Sequence, residues 1–190
     1  KEQIDFTFVG PELPLVKGIV DEFQKHNLKI FGPTKRAADL EGSKAFSKKF
    51  MLENGVRTAK AEIFDSYVLA KEYVQTQKYP LVVKASGLAA GKGVVICEDI
   101  EHAEATLHQF MIDKIFGDAG IKVVIEQFLK GFEASVIAFW NGKKAFPCVS
   151  AKDYKKIGNG DTGLNTGGMG TVAPSPEFTA EHLADFEKNI

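Results

Sequence analysis

The 190-residue chain is 44% hydrophobic and 26% charged, which excludes a disordered or low-complexity segment and gives it the apolar content for one or two cores. Twenty-four Lys and Arg against 25 Asp and Glu leave a formal charge of -1, so no global field favours nucleic acid or an anionic membrane, although a local basic site stays open. No run approaches the ~18 apolar residues of a spanning helix and no signal segment opens the chain, so a soluble, reduced compartment is expected.

Cys97 and Cys148 lie far apart without CxxC or His spacing; they predict two small buried hydrophobes, not a disulfide framework or a zinc site. The first residue is Lys1, and strand-like sequence begins almost at once, so the chain reads as a piece of a longer protein. Its compositional excess is glycine, 18 residues where average usage of about 7% gives roughly 13. Half of them fall in two clusters, Gly87 to Gly93 and Gly158 to Gly170.

Ile4, Phe6 and Phe8 alternate into Val9 and predict a strand that Gly10-Pro11-Glu12 stops. Val16, Ile19, Val20 and Phe23 follow at helical spacing and predict one amphipathic helix ended by Asn27; Leu28–Phe31 reads as a second strand. This is a βαβ unit of the doubly wound type, in which ligands sit beyond the carboxyl ends of strands, here the loop from Gly10 to Leu15. Thr34 and Ser43 are expected to cap two successive helices, the second carrying Phe46, Phe50 and Met51 on one face and ending at Asn54-Gly55. Glu41-Gly42 between them predicts a domain boundary.

A strand near Glu62–Phe64, a Ser66-capped helix with Tyr67, Ala70 and Val74 inward, and strands over Leu81–Ala85 and Val94–Cys97 come next. Asp99 is expected to cap a helix bearing Ile100, Ala103, Leu107, Phe110 and Met111, before strands over Val123–Glu126 and Ala134–Trp140. Asn141-Gly142 predicts a two-residue hairpin turn into Lys143–Val149, whose Pro147 belongs at an edge or bulge. Lys152–Gly170 is too polar and glycine-rich for regular structure and reads as a long functional loop, followed by a helix from Thr179 through Leu183 and Phe186.

The first glycine cluster, Lys84-Ala85-Ser86-Gly87-Leu88-Ala89-Ala90-Gly91-Lys92-Gly93-Val94, is not a Walker A loop. That motif opens a helix and needs four residues between its glycines and a hydroxyl after the lysine, whereas here Gly93 follows Lys92 and a β-branched run comes next. The dinucleotide fingerprint lacks its third glycine. What remains is a glycine-rich hairpin with a lysine at the end of its first strand and another in its loop, a combination suited to a polyphosphate. Lys84 stands between Val82, Val83 and Ala85 and needs an anion beside it to offset desolvation.

Taken in order, Val9-Gly10-Pro11-Glu12, Phe31-Gly32-Pro33-Thr34, Leu40-Glu41-Gly42-Ser43-Lys44, the Lys84 to Val94 loop, Glu126-Gln127-Phe128-Leu129, Gly131-Phe132-Glu133-Ala134-Ser135 and Asp161 to Gly170 resemble the phosphoribosylamine-glycine ligase (glycinamide ribonucleotide synthetase) family of ATP-grasp enzymes. The resemblance covers nearly the whole chain and implies an internal portion of a longer enzyme. It implies an α/β (α+β) fold: residues 1–41 end a preceding Rossmann-like domain, and 42–190 form an incomplete ATP-grasp domain with a lid over about 62–133. The implied reaction is ATP-dependent joining of glycine to 5-phosphoribosylamine through glycyl phosphate, in purine biosynthesis. A cytoplasmic monomer that binds neither nucleic acid nor membrane is the corresponding expectation.

By the same resemblance, Lys44 and Lys84 reach the ATP phosphates, and Gly91, Lys92 and Gly93 form the loop that closes over them. Glu126, Gln127, Phe128 and Leu129 form the hinge whose main chain reads adenine, and Glu133 takes the ribose hydroxyls. The substrate side is assigned to Gly10, Pro11, Glu12, Asp153, Lys155, Asp161, Asn165, Thr166, Gly167 and Gly168. Leu164 and Tyr154 depart from the family's proline and histidine and leave the shape of the acceptor site open. The implied metal is Mg2+, with Mn2+ as an alternative, held by a Glu and an Asn beyond residue 190, so the 190 residues alone are expected not to catalyse ligation. Two other readings stay open: an ATP-grasp carboxylase or formyl transferase acting on a later purine ribonucleotide, and a nucleotide-binding module without chemistry.

Overall fold

β1 (Thr7–Phe8) pairs in parallel with β2 (Ile30–Phe31), so the expected βαβ unit is present with shorter strands than the apolar alternation predicts. A computed structural model describes residues 3–89, 91–160 and 162–190 of the chain. The expected single helix is two, α1 (Glu12–Val16) and α2 (Ile19–Lys25), because Gly18 adopts a left-handed φ of 89° between them. α3 (Lys35–Gly42) and α4 (Lys44–Glu53) meet at Ser43, whose hydroxyl accepts from the Phe46 amide, while Thr34 occupies the cap position of α3 without a side-chain bond. Asn54 ends α4 as expected, but the buried residues of that helix are Ala45 and Lys48, and Phe46 and Phe50 are exposed.

The centre of this part is an antiparallel sheet in the order β3 (Ala61–Phe64), β6 (Val123–Gln127), β4 (Leu81–Ala85) and β5 (Val94–Cys97). α5 (Tyr67–Val74), capped by Ser66, and α6 (Ile100–Met111), capped by Asp99, pack on it. Side chains alternate across a strand, so Leu81, Val83, Ala85, Val123 and Ile125 join Ala70, Val74, Leu107, Phe110 and Met111 in one core. Each fully buried Val, Leu or Phe contributes roughly 1.5–3 kcal/mol, which makes this layer the stabilising centre. The same alternation leaves Val82, Lys84, Val124 and Glu126 to the other face, where α4 meets β6.

In the remaining part, β7 (Ala138–Trp140) and β8 (Ala145–Pro147) form a hairpin in which the Asn141 amide donates to the Lys144 carbonyl at 3.3 Å, so Gly142 and Lys143 make the turn, one residue on from the expected Asn141-Gly142. Asn141 Oδ1 accepts from the Lys143 and Lys144 amides and so fixes the turn from its own side chain. The rest of the expected Ala134–Trp140 strand makes the Ser135–Ala151 bridge, and the Ile137 carbonyl accepts from the Cys148 amide at 2.7 Å. Lys152–Gly170 is not a structureless loop: β9 (Lys152–Gly158) and β10 (Thr162–Val172) pair antiparallel. The physical reason is bulging, since β10 spends 11 residues against the 7 of β9 and shifts register on both sides of Asn165. α7 (Ala180–Asn189) follows with a capping box between Thr179 and His182.

Two compact units divide the chain, one running to Ala89 and from Gly93 to Phe128, the other taking the loop tip at Gly91 and Lys92 with Leu129–Ile190. Cys97 is buried; Cys148 is exposed, contrary to expectation, because the residues around it in the β8 segment are themselves exposed. Among the described residues no helix is long and apolar enough to cross a membrane.

Candidate functional site

The first glycine cluster is anchored at its base to the start of α4. The Lys44 amide donates to the Ser86 carbonyl at 2.7 Å, and the Ala45 amide donates to Ser86 Oγ at 3.1 Å. Ser43 Oγ lies 3.1 Å from the same hydroxyl. The loop that leaves β4 is therefore fixed by the orphan amides of a helix N-terminus, and its next carbonyl, that of Gly87, accepts from Lys44 Nζ at 3.1 Å. Gly87 is required here by packing, since a Cβ would sit 2.7 Å from Ala119 Cα, and its amide donates to the Ala119 carbonyl. Gly93 is buried; Gly91, with φ of 76°, and Lys92 are exposed.

Lys44 and Lys84 lie close enough to repel. Burial pushes the Lys44 ammonium below the usual lysine range, and the Lys84 charge adds to that, against the opposite pull of Glu41. The anion that Lys84 requires is internal: its Nζ is 2.7 Å from Glu126 Oε2, across the diagonal of the β4–β6 pair. The other oxygen of Glu126 is 3.1 Å from Lys48 Nζ, and the two side chains are 9% and 4% exposed. Sequence reasoning assigned Glu126 a main-chain role and missed Lys48 altogether. The signal that points to Lys48 is its spacing, four residues after Lys44 and so on the same face of α4.

Glu126 stands in the middle of the sheet, opposite Ala61 on one side and Val82 on the other, and the Gln127 amide donates to the Lys60 carbonyl. Of the four hinge candidates, Phe128 and Leu129 lie beyond the strand, and the division between the two units falls between them. Gly10, Pro11 and Glu12 are exposed at the carboxyl end of β1, the position the βαβ reading gave them.

In the second unit the bulge of β10 lifts Thr166, Gly167 and Gly168 out of the ladder, between the Asn165–Lys156 and Gly170–Tyr154 pairs. Thr166 Oγ1 donates to the Lys155 carbonyl at 2.8 Å and accepts from the Gly168 amide at 3.1 Å, so the bulge is held by its own threonine. A Cβ on Gly168 would lie 3.4 Å from Asp153 Oδ1, and one on Gly91 would lie 3.8 Å from the Thr166 carbonyl. Asp153 pairs with Lys155 at 3.4 Å. A cavity of about 360 Å³ collects Glu133, Ser135, Asp153 and Lys155, and a second of about 390 Å³ runs from Asp153 to Gly167 and Gly168. Asp161 lies outside the described residues. No group of three or more His, Cys, Asp or Glu among the described residues is placed to hold a metal ion.

An antiparallel sheet with lysines gathered at the base of a glycine hairpin, followed by a second small unit, defines an ATP-grasp protein. Solved structures agree on that fold: D-alanyl-alanine synthetase A from Vibrio cholerae superposes with a TM-score of 0.68 at 16% identity, over 98% of this chain and 58% of the other. The sequence model of the phosphoribosylglycinamide synthetase ATP-grasp (A) domain matches residues 42–190, and that of the N domain of the same enzyme matches 1–41. The chain belongs to the phosphoribosylglycinamide synthetase family. It is 53% identical over 190 residues to a phosphoribosylamine-glycine ligase of Clostridium acetobutylicum and 49% identical to that of Escherichia coli K12, covering 100% of this chain and 46% and 44% of those proteins. The crystal structure of the Thermotoga maritima ligase superposes over 99% of this chain and 46% of that one, with a TM-score of 0.79 and 33% identity. The chain thus spans less than half the length of these relatives.

Proposed function

We propose that these residues supply the nucleotide-holding part and much of the acceptor side of a phosphoribosylamine-glycine ligase. The observation that carries the reading is the convergence of Lys44 and Lys84 on the base of the glycine hairpin, in a chain matched to this family along its whole length. Two neighbouring ammoniums that repel each other gain most from a polyphosphate laid against them. Residues 1–41 are assigned to the preceding domain and 42–190 to the ATP-grasp domain with its lid over about 62–133. The protein is assigned to the cytoplasm as a monomer.

In the proposed reaction a carboxylate oxygen of glycine attacks the γ-phosphorus of ATP, and ADP departs. The amine of 5-phosphoribosylamine then attacks the carbonyl carbon of glycyl phosphate and loses a proton. Phosphate leaves, taking the former carboxylate oxygen with it. Phosphorylation converts a poor acyl donor into one with a competent leaving group, and the protein's share is placement and charge neutralisation. Lys44 and Lys84 hold phosphate oxygens, and Gly91, Lys92 and Gly93 cover them. The main chain of Phe128 and Leu129, the hinge residues free of the sheet, reads adenine beside Glu126 and Gln127, and Glu133 accepts from the ribose hydroxyls. The hairpin residues Asp153, Lys155, Asn165, Thr166, Gly167 and Gly168, with Asp161 and the Gly10-Pro11-Glu12 turn, take glycine and phosphoribosylamine. By the family resemblance, Mg2+ would be held by a Glu and an Asn beyond residue 190, where it would neutralise charge on the phosphates.

Glycine labelled with 18O in its carboxylate tests the chemistry. The full-length protein, given this glycine with ATP and phosphoribosylamine, is expected to place one label in the released phosphate. Unlabelled phosphate contradicts the acyl-phosphate route.

A further inference from the structure

Lys48 has a larger part than tying α4 to the sheet. Its side chain is 4% exposed and its ammonium meets Glu126 Oε1 at 3.1 Å, the Ala59 carbonyl at 3.2 Å and the Thr58 hydroxyl. Those contacts use the three donors an ammonium has. Lys48 is therefore held in place and has none left for a ligand. Lys84 differs: its side chain is 27% exposed and, among the described residues, its one ion-pair partner is Glu126.

Glu126 thus works as a bridge with one oxygen on each lysine. A carboxylate paired with Lys84 alone would cancel the charge that a phosphate needs, and it would itself repel the phosphate. Two ammoniums about one carboxylate leave a net positive charge, with Lys84 at its exposed end. We infer that Lys48 is a positioning residue for nucleotide binding: by holding Glu126 from behind, it keeps that carboxylate from neutralising Lys84 and from repelling the phosphates. The inference rests on the ligase reading for the identity of the nucleotide.

The test compares Lys48→Met, Glu126→Gln and the double variant in the full-length protein, with ATP and Mg2+ as the probe in calorimetric titration and thermal melting as the control for folding. Lys48→Met leaves Glu126 to neutralise Lys84 and is expected to weaken ATP binding by about tenfold, with the Michaelis constant for glycine unchanged. Adding Glu126→Gln removes the uncompensated carboxylate and is expected to restore ATP affinity to within about threefold of the unmodified protein, because a relay makes the two substitutions non-additive. Should Lys48→Met fail to fold, Lys48→Gln, which keeps a hydrogen bond to Glu126 but removes the charge, takes its place in the comparison. Lys48→Met binding ATP like the unmodified protein overturns the inference. So does a folded double variant with tenfold weaker affinity, or an affinity that merely follows the melting temperature. If the unmodified protein binds no ATP, the ligase reading itself fails, and this inference with it.

Discussion

At the scale of single residues, Lys84 separates two kinds of evidence. Its place in an apolar strand calls for a nearby anion, and Glu126 supplies one from within the sheet, so burial by itself does not demonstrate a ligand. What speaks for nucleotide is the company it keeps: a second cation, Lys44, whose proton affinity is lowered by burial and further by the Lys84 charge, and a hairpin whose Gly87 carbonyl that cation holds. Lys84→Met leaves Glu126 paired with Lys48 and the sheet intact. It is expected to weaken ATP binding by about 10- to 100-fold, the equivalent of the ~1.5–3 kcal/mol that a hydrogen bond to a charged group contributes. Calorimetric titration of the full-length variant measures this, and unchanged affinity removes Lys84 from the site. The same substitution removes one cause of the lowered Lys44 pKa, so any loss of affinity as pH rises through that pKa moves to higher pH.

At the scale of elements, legibility followed the regularity of the hydrophobic pattern. The alternation of Leu81, Val83 and Ala85, the helical spacing from Ala103 to Met111, and the caps Ser43, Ser66 and Asp99 all stand in the sequence as they do in the fold. The β9–β10 hairpin was hidden because its bulges break the period-two signal and its glycines imitate a loop. Gly18 hid the break between α1 and α2, since apolar spacing runs straight through a residue whose φ of 89° ends the helix. The side-chain role of Glu126 was illegible for a different reason. Spacing places Lys48 on the Lys44 face of α4, but its pairing with Glu126 joins α4 to β6 over a long sequence separation, and no local pattern encodes that partner.

The hairpin glycines divide into those the fold requires and those the chemistry would use. Gly163 has φ of 81° and a Cβ there would lie 2.9 Å from Ile157 Cγ2, so Gly163→Ala is expected to cost about 1–3 kcal/mol in backbone strain. Gly167 has open space around it, so Gly167→Ala should stay within about 0.5 kcal/mol of the unmodified protein while raising the Michaelis constant for phosphoribosylamine. Urea unfolding and steady-state kinetics on the two variants read both effects. Equal stability losses, or an unchanged Michaelis constant at Gly167, contradict this division.

At the scale of the whole molecule, the family assignment rests on a match that runs from one end of the chain to the other, and these residues span less than half the length of the relatives. The two glycine clusters have become structurally distinct: a hairpin clamped at its base by Ser86 and Lys44, and a bulged strand held by Thr166. Neither brings together the carboxylates that a divalent cation needs, among the described residues. A carboxylase or a formyl transferase could share the first cluster, so the acceptor decides between the readings. The most direct measurement is ADP release by the full-length protein with each acceptor omitted in turn. The ligase account predicts sustained, multiple-turnover ADP release only when glycine and phosphoribosylamine are both present; turnover that depends on bicarbonate or formate instead contradicts it.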